Sequence, residues 1–116
     1  IINLLAFVTN VKLAHWQAPT LNGNLHRIYG KLYEAIEERV DYFSEVLLGK
    51  LGTRDVEVSA VMLNDHMDAK ELIEAGLDTV NDAIAEFEKN EGNEDLLNIL
   101  ADIKAAINHA KYHAQI

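Results

Sequence analysis

The sequence contains no cysteine. That excludes a disulfide framework, a thiolate metal site and a cysteine nucleophile, and it leaves imidazole, carboxylate and backbone oxygen as the ligands open to a metal. Proline occurs once, at Pro19, and glycine six times, so long uninterrupted helices are open to most of the chain. No apolar run approaches the roughly 18 residues of a membrane span, so no membrane insertion is expected. Basic charge is scarce: ten Lys and Arg stand against nineteen Asp and Glu, for a formal net charge of −9. The basic residues are scattered along the sequence without a run, so direct binding to DNA or another polyanion is not expected. Ile1 and Ile2 open the sequence with no basic segment ahead of an apolar one, which leads to the expectation of a cytoplasmic protein without a secretory leader.

What is present suits one globular domain over residues 1–116, with 49% hydrophobic and 25% charged residues. Surface scaling gives roughly 19,000 Å² for the unfolded chain and about 6,300 Å² for a compact one, enough burial for a single core. The apolar pattern is helical almost throughout. Ile1, Leu4, Val8, Val11 and His15 form a first stripe that must stop before Pro19. A second runs from about Asn24 to Leu48 through Leu25, Ile28, Leu32, Ile36, Val40, Phe43 and Leu47, with Gly49 expected to close it. A third comprises Leu72, Ile73, Gly76, Val80, Ala83, Ile84 and Phe87, behind Asp68 and Glu71 at capping-box spacing. The last comprises Leu96, Ile99, Leu100, Ile103, Ile107, Ala110 and Ala114, with Asn93 as its expected cap.

The turns at about residues 18–23 and 90–93 are short, so the first two helices should be antiparallel neighbours, and likewise the last two. The link from Gly49 to about Asp65 is much longer. The fold class expected is all-α: a ferritin-like four-helix bundle with one long crossover between helices two and three. Val56, Val58 and Val61 suggest a short helix within that crossover.

A bundle of this kind commonly holds metals in its core through Glu-x-x-His pairs. The residues three before the five histidines are Lys12, Gly23, Leu63, Ala106 and Ala110, so that motif is absent and an intrabundle centre is not expected. Attention passes to other helix faces. On a helical wheel His26, Gly30, Tyr33, Glu37 and Asp41 share a polar flank beside the apolar stripe of the second helix, with Glu45 one turn past Asp41. Imidazoles suit ferrous iron and carboxylates its ferric product. His26 and Asp41 are fifteen residues apart, about 22 Å along a helix. They can share an ion only if a second copy of the helix runs antiparallel beside the first. The same stripe also reads as a merely solvated flank, and a histidine as a hydrogen-bonded structural residue. His15 is unusual in ending an apolar stripe, where its ring nitrogens need partners. His109 and His113, four apart near the C-terminus, have the spacing of a transition-metal chelate and equally of surface residues favoured by the helix C-terminal dipole. His66 reads as a loop or cap residue, and Trp16, Tyr29, Tyr33 and Tyr42 as packing.

The run His15, Trp16, Leu25, His26, Tyr33, Asp41, Glu45 and Gly49 resembles the first two helices of the Dps-type miniferritins, within the ferritin-like superfamily. Asp41 and Glu45 follow His26 by fifteen and nineteen residues, as in that family. The step from His15 to His26 is eleven, one short of the family pattern. Residues 69–112 are similar in helix lengths and in the acidic turn before the last helix. Short Dps-like proteins of phage and marine metagenomes are similar in the same way.

The resemblance implies iron handling under oxidative stress, with ferrous iron bound and oxidised between two subunits of a homo-oligomer. His15 and His26 would come from one chain and Asp41 and Glu45 from the other, with iron as the metal. One turn after the second histidine the family carries Asp and this chain carries Gly30, so weaker iron binding is expected. A reading of another class is a non-catalytic helical scaffold that keeps the bundle and the dimer without ferroxidase chemistry.

Overall fold

The computed structural model describes residues 1–20 and 23–116. Four helices follow one another along the chain: α1 (Ile2–Gln17), α2 (Asn24–Leu51), α3 (Ala69–Glu88) and α4 (Glu94–Ala114). No strand occurs among the described residues. Part of the first turn, residues 21 and 22, lies outside them.

Helices α1 and α4 each pack closely along both α2 and α3, while the backbones of the pairs α1 with α4 and α2 with α3 stay apart among the described residues, the latter pair meeting across the core through the Phe43 and Phe87 rings, 5.7 Å between centroids. The four therefore stand at the corners of a square with those pairs on its diagonals. At the end of α1, Gln17 bonds to Asp65 and His66, just ahead of α3. Helix α3 thus starts at the end of the bundle where α2 also starts, and the two run parallel. This is the expected four-helix bundle with one long crossover. It measures 47 × 27 × 19 Å.

One apolar cluster forms the interior. Val11, Ile36, Val80, Leu100, Ile103 and Ile107 are wholly shielded from solvent, and each such side chain contributes about 1.5–3 kcal/mol by leaving water. The stripes of α2, α3 and α4 face inward as their periodicity predicts. In α1 the inward set is Leu4, Phe7, Val8, Val11 and Ala14, with Ile1 and His15 half-buried at its margin.

Several local expectations need correction. Helix α2 continues through Gly49 to Leu51, and Gly52 ends it at φ 68°. A helix of 28 residues tolerates one internal glycine at about 1 kcal/mol, whereas the left-handed turn at its end favours glycine outright. Residues 53–64 form no short helix, and Val56, Val58 and Val61 are exposed. The connection must return along α2, about 42 Å, and sixteen residues (53–68) reach that far only when extended, at ~3.3 Å each rather than the 1.5 Å of a helix. Asp68 and Asn93 both occupy N-cap positions but make no side-chain cap hydrogen bond. Asn93 instead turns back, its Nδ2 donating to the Phe87 carbonyl at the end of α3 (3.0 Å).

The crossover is held by two amides of α1 spaced one heptad apart. Asn10, a buried polar residue in an apolar setting, donates from Nδ2 to the Met62 carbonyl (3.1 Å) and accepts the Asn64 N–H at Oδ1 (2.8 Å). Gln17 repeats the pattern, donating to Asp65 (2.7 Å) and accepting the His66 N–H (2.8 Å). The two amides thereby pair the Met62 carbonyl and the Asn64 and His66 N–H groups at the end of an irregular segment. His66 is a loop residue, as expected, with φ 46°. No helix among the described residues is long and apolar enough to cross a membrane.

Candidate functional site

Pro19 shapes the end of α1 in two ways. It forces the preceding Ala18 into extended backbone (φ −69°, ψ 138°), and it lacks the N–H that would otherwise pair with the carbonyl four residues earlier, that of His15. That carbonyl is met from the next helix. The His26 Nδ1 donates to it at 2.8 Å, and the His15 Nδ1 donates in return to the His26 carbonyl at 2.7 Å. Because a carbonyl only accepts, both Nδ1 atoms carry the proton. The rings lie nearly parallel, 20° apart in plane, with centroids 3.9 Å apart, and both residues are half-buried. With each Nδ1 so anchored, the Nε2 of each neutral ring keeps its lone pair. Donation of one ring nitrogen to a backbone carbonyl is the arrangement that orients metal-binding imidazoles.

Gly30 is part of the same construction. A Cβ placed there would lie 2.9 Å from the His15 Cε1 and 3.2 Å from its Nδ1. The absent side chain is the space that the ring of His15 fills. An aspartate at this position would displace the imidazole from its present place. The glycine at position 30 is therefore coupled to the way the two rings stack.

From Gly30 the flank of α2 continues through Tyr33 and Glu37 to Asp41. The Tyr33 hydroxyl donates to Glu37 at 2.9 Å, and that bond, with some desolvation and the carboxylate's charge, holds the phenol above its ordinary titration range. The Lys12 ammonium lies 4.3 Å from the centroid of the Tyr33 ring. These residues and Leu5 line a groove of 860 Å³ between α1 and α2, and Asp41 lies at its edge. Trp16 and Tyr42, expected as packing residues, are 67% and 59% exposed, whereas Tyr29 is buried as expected.

The four anticipated ligands thus fall in two places. His15 and His26 are brought together, and Asp41 and Glu45 are exposed further along α2. Among the described residues no group of three or more His, Cys, Asp or Glu gathers closely enough to hold a metal ion. Two imidazoles alone are too few to form such a group. On α4, His109 and His113 contact one another, Nε2 to Nε2 at 3.1 Å, without a third ligand.

A family model described as a family of unknown function, DUF5856, matches residues 15–113. The chain belongs to that family, and the match begins at His15. No match was found among curated proteins or among solved structures.

Proposed function

We propose that two copies of this chain pair along their α1–α2 flanks and bind ferrous iron for oxidation, in the manner of a Dps-like member of the ferritin-like superfamily. His15 and His26 of one subunit would hold the ion, and the partner's Asp41 and Glu45 would stabilise the ferric product. Iron is substrate here, giving up an electron to a co-substrate oxidant such as dioxygen or peroxide, in the cytoplasm. The observation that carries the reading is the reciprocal pair of Nδ1–H bonds, which orients two imidazoles with their Nε2 lone pairs uncommitted.

The pairing has a natural axis. The midpoint of His26 and Asp41 falls between Tyr33 and Glu34, so a two-fold axis there sets each histidine end against the partner's acidic end. Leu5, Trp16 and Tyr42 are half or more exposed on these helices.

Anaerobic addition of ferrous iron followed by air, with ferric absorbance and native mass recorded together, tests the reading. The double variants His15→Ala/His26→Ala and Asp41→Ala/Glu45→Ala should each be inactive. Mixed after dissociation, they should recover about a quarter of the wild-type rate, because half of the dimers are then mixed and each mixed dimer holds one intact site of two. Absence of oxidation above buffer by the wild-type protein overturns the proposal, and so does failure of mixed dimers to recover activity. The second reading, a helical scaffold, is favoured by one observation: the His26 Nδ1 already serves as a cap for the end of α1. It predicts a dimer without iron turnover.

A further inference from the structure

On the opposite flank of α2 a cavity of 260 Å³ opens between the first half of that helix and the last turns of α4. Its floor is apolar, formed largely by Ile28, Leu32 and Ala110, all buried. Its rim is Arg27 and Lys31 from α2 and His109 and His113 from α4. The chain carries nineteen carboxylates, yet none lines this cavity. Asn24 steadies the mouth, its Oδ1 accepting from the Arg27 Nη2 at 3.1 Å.

We infer that this cavity binds a small amphipathic carboxylate, its aliphatic body on the floor and its carboxylate at the basic rim. Three features lead to that class. The rim offers charged donors and no fixed anion, so a carboxylate entering it meets attraction without repulsion. The floor rewards an apolar body over an inorganic anion. The volume lies just below the ~300 Å³ at which pockets for drug-sized ligands begin, which restricts the occupant to a short chain. The 3.1 Å contact between the two Nε2 atoms takes up one proton between them, which leaves the accepting ring with its own proton on Nδ1 as a donor toward an anion. A divalent cation would instead sit beside the charges of Arg27 and Lys31.

Calorimetric titration of the full chain with octanoate tests the inference, with octylamine, octanol and inorganic phosphate as comparison ligands. Octanoate should bind more tightly than any of the three. Arg27→Ala/Lys31→Ala should weaken it about tenfold or more, as removal of charge-assisted donors does. Ala35→Phe, which fills the cavity from its wall and leaves every charge in place, should abolish binding while circular dichroism confirms an intact bundle. Equal binding of octanoate and octylamine overturns the inference, as does octanoate binding indifferent to both variants. Zinc binding that depends on His109 and His113, with no octanoate binding, would make this a cation site and overturn it equally. None of these outcomes bears on iron oxidation at the α1–α2 flank.

Discussion

The first turns of α2 carry a histidine pair on each side, and the two pairs are built on opposite principles. Toward α1, His15 and His26 come from different helices, each ring anchored through Nδ1 to the other's backbone. Toward α4, His109 and His113 come from one helix and meet through Nε2, with the Tyr112 ring edge-on to His113. The first pair has a fixed tautomer and orientation and leaves its outer nitrogens uncommitted. The second commits those nitrogens to one another and remains exposed. Backbone anchoring gives the first pair a set orientation, whereas the second shares one proton through Nε2 and keeps an Nδ1 donor for an anion.

The largest expected difference between the pairs is in stability. His26→Ala removes the donor to the His15 carbonyl, which Pro19 leaves without a helical partner, and also removes the stacked ring. Loss of a partner from a partly buried polar group costs about 1–3 kcal/mol. His109→Ala removes an exposed contact within one helix and should stay within about 0.5 kcal/mol of wild type. Urea unfolding of the two variants measures both. Equal effects would mean that the α1–α2 pair is not the clamp described here.

A smaller net effect is expected from Gly30→Ala, because two terms oppose. Alanine gains about 1 kcal/mol over glycine inside a helix, while the new methyl group lies 2.9 Å from the His15 ring and makes it move. Stability should change by less than about 1 kcal/mol. The consequence should be local: the Nδ1 proton of His15, protected by its carbonyl partner, should lose its slow exchange in histidine-labelled nuclear magnetic resonance spectra. An unaltered His15 signal would show that Gly30 is not what lets the rings stack.

The apolar stripes of α2, α3 and α4 were legible because a repeat near 3.6 residues has one solution once a core must be buried, whereas the stripe expected for α1 left out Phe7 and Ala14, which are buried. The crossover was legible as a length but not as a conformation, since the requirement that it be extended comes from the span of α2 and not from Val56, Val58 or Val61 themselves. Asn10 and Gln17 were missed, although an amide one heptad from another at the edge of an apolar stripe is a signal that could have found them. His15 stood out by its place at the end of its stripe, and Pro19 accounts for much of its setting. The bond that uses the orphaned carbonyl could not be read, because it needs the angle at which α2 returns. The basic rim at α2 and α4 was hidden for another reason. Arg27 and Lys31 are separated from His109 and His113 by most of the chain, and residues scattered in sequence converge only when the bundle closes.

At the far end of the same α2–α4 interface, Lys50 donates to the Asp95 carboxylate at 2.8 Å and to the Gly92 carbonyl. This exposed contact ties the end of α2 to the start of α4, in the same antiparallel pairing that brings Arg27 and Lys31 opposite His109 and His113. The Lys50 hydrogen bond, joined by the Leu96 N–H and the lysine charge, holds the Asp95 carboxyl below its ordinary value. A depressed carboxyl stabilises the fold at pH values above its unfolded titration range, near pH 4, and that contribution disappears as pH falls through the lower folded value. Asp95→Asn should therefore lower the thermal midpoint slightly at neutral pH, with the difference closing in acid as the wild-type carboxyl protonates. If the variant also loses octanoate binding at neutral pH, the anion-binding flank depends on register set from the far end of α4. Retained binding would mean that the apolar contacts of Ile28, Leu32 and Ala110 hold that register unaided.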